Sequence, residues 1–133
     1  MRIDLRRVEF MPKDLEPGVL YVSDKYRTAA HLCACGCGEK IRTPLGPTEW
    51  SVTEGRGGPS VWPSIGSWQH PCRSHYIISD GVVHWAGQWS DAQVRAGRRR
   101  EHLNREAHFA AQQRAGRRRS LWSWLKGLFG PRP

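Results

Sequence analysis

The sequence predicts a mainly β protein of the α+β type. A small antiparallel β domain spans residues 1–90, and a basic helical extension follows over residues 91–133. Three observations lead there. Up to Trp89 the chain is a series of short β-branched and aromatic runs cut by glycine and proline, the pattern of strands joined by tight turns. From Ser90 the composition shifts to arginine, alanine, glutamine and glutamate, which favour helix. Charge follows the same boundary: residues 1–90 hold 10 Lys and Arg against 9 Asp and Glu, whereas residues 91–133 hold 11 against 3. The pI of about 10.1 therefore belongs to the tail and is no argument that the β domain binds nucleic acid.

Ile3, Leu5, Val8 and Phe10 alternate with charged residues, as an edge strand does, with a break near Arg6-Arg7. Pro12 and Pro17-Gly18 bracket a turn before Val19–Val22, a short apolar run suited to a buried strand. Thr28–Leu32 and Lys40–Leu45 are strands that place the intervening Cys33-Ala34-Cys35-Gly36-Cys37-Gly38 on a hairpin tip. Trp50–Thr53 and Ser60–Trp62 are short strands around the turn from Glu54 to Pro59. Gly66-Ser67 reads as a bend. His75–Ile78 and Val82–Trp85 form a hairpin whose Asp80-Gly81 suits a type I′ turn. With few aliphatic residues available, Trp50, Trp62, Trp68, Trp85 and Trp89 are expected to supply most of the core.

Ser90-Asp91 is a good helix start, and the helix is expected to run to about Arg114. A basic break follows at Gly116–Arg119. Leu121, Leu125 and Leu128, with Trp122 and Phe129, then share a stripe on a second helical segment, residues 121–129, which Gly130-Pro131 ends. That segment has the chemistry of an interfacial membrane helix or of a helix that docks on protein, with docking the preferred reading. The arginine triplets Arg98–Arg100 and Arg117–Arg119 suit phosphates on nucleic acid or a membrane surface, or are a solvated charge run.

The chain has no run of eighteen apolar residues and no apolar signal region after Met1, so a cytoplasmic protein with reduced thiols is expected. Four clustered cysteines are then a metal site before they are disulfides, since Cys33, Cys35 and Cys37 are too close in sequence to bridge one another without strain. Zinc takes four such ligands in a tetrahedron. Cys33, Cys35, Cys37 and Cys72 form one candidate set; three cysteines with His75 form another. An iron–sulfur cluster is less favoured, because its usual cysteine spacings are absent.

Ser64 lies between Pro63 and Ile65-Gly66, where an exposed serine beside a histidine can act as a nucleophile. His75 is the preferred base and His70 the reserve. Asp80 more simply serves its turn than a histidine, and His31 and His84 read as core or surface residues at strand positions. Composition alone favours a turn serine and a packed or metal-bound His75. On that reading the domain is a non-catalytic, zinc-ribbon-like module that binds protein or nucleic acid.

The motifs add to this. Cys-x-Cys-Gly-Cys-Gly, Thr-Pro-Leu-Gly-Pro-Thr-Glu-Trp, Pro-Ser-Ile-Gly-x-Trp and Pro-Cys-Arg-Ser-His-Tyr occur in that order between Leu32 and Tyr76. The combination resembles a family of small bacterial proteins long classed as a domain of unknown function and found beside bacterial ubiquitin-like conjugation genes. The resemblance covers about residues 15–90. It implies a serine-peptidase-like hydrolase that processes or removes a ubiquitin-like modifier, with the modifier or its conjugates as partner. It also implies Ser64 as nucleophile and His75 as base, leaving Cys33, Cys35, Cys37 and Cys72 to hold a structural Zn²⁺. The tail from about residue 91 lies outside the resemblance.

Overall fold

The structure, a computed structural model, describes residues 1–129, with side chains through residue 127. Eight strands are followed by one helix: β1 (Asp4–Arg7), β2 (Val19–Ser23), β3 (Thr28–Leu32), β4 (Lys40–Pro44), β5 (Ser51–Gly55), β6 (Gly58–Gly66), β7 (His75–Ser79), β8 (Val82–Trp85) and α1 (Asp91–Phe129). The strands form two four-stranded sheets in sequential order, β1-β2-β3-β4 and β5-β6-β7-β8. All pairs are antiparallel except β1–β2, which is parallel. Arg6 and Arg7 continue β1 rather than break it: they pair with Tyr21 and Val22 of β2, and their cations reach outward to Glu16 and Asp24.

The sheets share one core. Leu20, Val22, Ala29 and Ile41 come from the first sheet, and Val61, Ile65, Tyr76 and Ile78 from the second. Ile3, fully buried, ties the N-terminus across both: its N–H donates to the Gly81 carbonyl at 2.7 Å, and Val83 N–H donates to the Met1 carbonyl at 3.0 Å. The tryptophans do not fill this core. Trp62 and Trp85 are more than half exposed, and Trp50, Trp68 and Trp89 are only partly buried. Aliphatic side chains and Tyr76 form it instead, with Trp50 packed against it.

Asp80 and Gly81 both adopt left-handed backbone, with φ of 46° and 75°, as a type I′ turn between β7 and β8 requires. The chain divides into two compact units, Met1–Val94 and a second from Arg95 onward. In the first unit Ser90 and Gln93 cap the start of α1 reciprocally: Gln93 N–H donates to Ser90 Oγ at 3.2 Å, and Ser90 N–H donates to Gln93 Oε1 at 2.7 Å. In the second unit the helix is continuous through Gly116–Arg119, where a break was expected. A lone interior glycine costs only about 1 kcal/mol relative to alanine, and the flanking arginines are good helix formers. The expected stop at Gly130-Pro131 lies outside the described residues, as do the side chains of Leu128 and Phe129. Among the described residues, no helix is long and apolar enough to cross a membrane.

Candidate active site and metal centre

Ser64 is placed by a defect in β6. Between the pairs Val61–Ile78 and Ile65–Tyr76, β6 has three residues where β7 has one. Pro63 lacks the N–H that a ladder needs, so this central strand bulges rather than pairs. Bulges re-aim side chains. Ser64 is thus carried on a bulged strand, not on the turn its neighbours suggested, and remains partly accessible. The Trp50 indole N–H donates to the Ser64 carbonyl at 3.3 Å and holds the bulge in place.

His75 opens β7 directly opposite Gly66, whose missing side chain leaves room for the Trp68 indole. His75 Nε2 stands 2.9 Å from Ser64 Oγ, and His75 Nδ1 stands 2.7 Å from the Gly87 carbonyl oxygen. A carbonyl only accepts, so Nδ1 carries the ring proton and Nε2 presents a lone pair to the serine hydroxyl. That is the tautomer a general base requires.

Two tryptophans enclose the imidazole. Trp68 lies 5.0 Å and Trp89 5.1 Å from it, centroid to centroid, and they stack on each other at 5.6 Å. Trp68 crosses Gly66 so closely that a Cβ there would collide with the indole nitrogen. Arg73, with φ of 44°, turns its guanidinium over Trp68, donates to the Trp89 carbonyl at 3.2 Å and meets Asp91 at 3.1 Å. It thereby fixes the segment that supplies the Gly87 carbonyl.

The four cysteines converge beside this site. Their sulfur atoms all lie within 4.8 Å of one another. Cys33–Cys35, Cys33–Cys72 and Cys37–Cys72 are separated by 3.5, 3.9 and 3.8 Å. Four thiolates around one zinc ion at about 2.3 Å would stand about 3.8 Å apart, so the donor set and its spacing fit a tetrahedral ion. Protonation agrees. The Ser74 hydroxyl, and behind it Cys37 and Cys33, hold the Cys35 thiol down to about 6. The Glu39 backbone pulls Cys37 down, but Cys35, burial, Cys72 and Cys33 outweigh it and push Cys37 up to about 12. The first thiolate makes the next costly unless a cation shares the site. Beneath the cluster, the Tyr76 hydroxyl accepts from Ala34 N–H at 3.3 Å and lies 2.6 Å from His31 Nε2. Burial pushes His31 down to about 4, so its ring is neutral.

The structure therefore brings Ser64 and His75 together and gathers Cys33, Cys35, Cys37 and Cys72 apart from them. Both ring nitrogens of His75 are engaged away from the sulfurs, so the set of three cysteines with His75 is not formed. His70 faces Glu39 at 3.6 Å, Asp80 stays in its turn, and His84 is exposed on β8. Sequence reasoning missed the Gly87 carbonyl, which has no side-chain signature. It also gave Trp68 and Trp89 to the core, although their flanking of Arg73 and His75 was the available signal.

No curated protein and no solved structure gives a match to this chain. A family model does match, over residues 7–86, and takes in the whole of the Ser64–His75 pair and the cysteine cluster. The chain belongs to the family described as bacterial ubiquitination-like system serine protease (BubE).

Proposed function

We propose that this chain is a serine hydrolase that cleaves the acyl bond made by the C-terminus of a ubiquitin-like modifier, in a domain stapled by structural zinc. The observation that carries the reading is the 2.9 Å contact between His75 Nε2 and Ser64 Oγ, in the tautomer imposed by Gly87. Ser64 Oγ bonds to the acyl carbon as its proton passes to His75 Nε2. The tetrahedral intermediate then collapses, and the departing amine or alcohol takes that proton. Water, deprotonated by the same imidazole, releases the acyl group and restores Ser64. The Gly87 carbonyl holds the Nδ1 proton throughout and stabilises the imidazolium by its dipole. Cys33, Cys35, Cys37 and Cys72 would hold the Zn²⁺; when bound, the ion serves to cross-link the chain and to keep the four thiolates ionised. Membership in a family named for a ubiquitination-like system supports the modifier as the substrate class.

The test is hydrolysis of a ubiquitin-like modifier carrying a fluorogenic C-terminal amide or ester. Ser64→Ala is expected to lower kcat by about a thousandfold or more with the melting temperature unchanged. Undiminished turnover by Ser64→Ala would refute the assignment.

A further inference from the structure

Because α1 runs unbroken through Gly116–Arg119, the phase between its arginines and its apolar residues is fixed. Eighteen residues are about five full turns. Leu103 and Leu121 therefore fall on one line, with Leu125 close to it. Arg99 and Arg117 fall together on one flank of that line, and Arg100 and Arg118 on the other. Trp124 and Trp122 lie at the two edges of the same face. Leu103, Leu121, Trp122 and Trp124 are all more than half exposed. Glu101 is on the opposite side, and Glu106, at the edge, is paired with His102 at 3.0 Å.

We propose that this face of α1 binds an anionic phospholipid surface, with the leucines and tryptophans in the headgroup–acyl boundary and the flanking arginines on lipid phosphates. The inference rests on the helix and is independent of the hydrolase reading. Charge complementarity selects the occupant. Arginines flanking an apolar line can lay their stems along it and reach outward to phosphates. Tryptophan suits the membrane–water boundary, where one edge is apolar and the N–H is wet. A helical partner would need an apolar seam kept up over successive heptads, but between Leu103 and Leu121 this line offers only alanines and Arg114, whose long stem can lie along a lipid boundary and reach a phosphate. A nucleic-acid duplex would use the arginines and leave Leu121, Trp122 and Trp124 without a role.

The experiment is co-sedimentation of the full chain with vesicles of phosphatidylcholine alone or mixed with phosphatidylserine. Binding to the mixed vesicles, weakened by salt, is expected. Trp122→Ala with Trp124→Ala, and separately Arg117→Glu with Arg118→Glu, should each lower the bound fraction about tenfold or more, with the melting temperature of the β unit unchanged. Equal binding by these variants, no binding to anionic vesicles, or full displacement by competing duplex DNA or RNA would overturn the proposal.

Discussion

At the scale of single residues, the site depends on a side chain that is not there. Gly66 faces His75 across β6 and β7 and lets the Trp68 indole cross its backbone. An added methyl would run into the indole nitrogen and its neighbouring carbon, closer than Cβ atoms come to other groups. Trp68 would have to move, and it is one of the two walls of the imidazole. Gly66→Ala is therefore expected to lower kcat by about ten- to a hundredfold through misplacement of His75, with KM little changed. Steady-state kinetics beside a thermal melt checks this, and a melt collapsing in parallel would make Gly66 a folding residue instead. This scale also shows what was legible. Ser64, His75 and the cysteines announce themselves because their side chains are of the types that the proposed chemistry uses. Gly87 does not, since what it contributes is a backbone carbonyl that only the fold can aim.

At the scale of elements, the segment between β8 and α1 is held from both ends. Ala86 N–H donates to the His75 carbonyl at 2.8 Å, and the Ser90–Gln93 capping box closes the other end. Arg73 fastens the middle through Trp89 and Asp91. It touches neither Ser64 nor the His75 ring in any hydrogen bond, so it acts as a positioning residue. Arg73→Ala is expected to cost about tenfold in kcat. Arg73→Lys should recover part of this, because the ion pair to Asp91 survives while the fork over Trp68 is lost. Equal rates for all three proteins would mean that the Gly87 segment holds itself. Element boundaries were legible where turn chemistry is local, as at Asp80-Gly81. They were not where context overrides it. Pro63 reads as the end of a strand, yet β6 passes through it by bulging, and Gly116 reads as a helix break, yet the helix accommodates it. The tryptophans were misplaced for a related reason: hydrophobicity says that a ring avoids water, not whether it does so in a core or around a site.

At the scale of the molecule, the cysteine cluster joins the two sheets. Cys33, Cys35 and Cys37 come from the β3–β4 hairpin of the first sheet, and Cys72 from the segment leading into β7 of the second. Three residues after Cys72 stands His75, and between them Ser74 accepts Ser67 N–H at 2.7 Å through its carbonyl. A metal ion bound there would pin the start of β7, and with it the imidazole, to the opposite sheet. Small domains bury too little surface to be generously stable, and a structural zinc site supplies folding free energy outright. Loss of even about 3 kcal/mol would lower the melting temperature of a domain this size by roughly 12–24 °C. Chelation, or Cys72→Ser, is therefore expected to depress melting temperature and kcat together. Adding back zinc should restore both in the chelated wild type and neither fully in the variant. The coupling is the point of the experiment. If chelation removes a stoichiometric metal and lowers the melting temperature while hydrolysis at a temperature below both melts is untouched, the cluster staples the fold without positioning His75. If neither changes although the metal is gone, the four sulfurs are not the joint between the sheets.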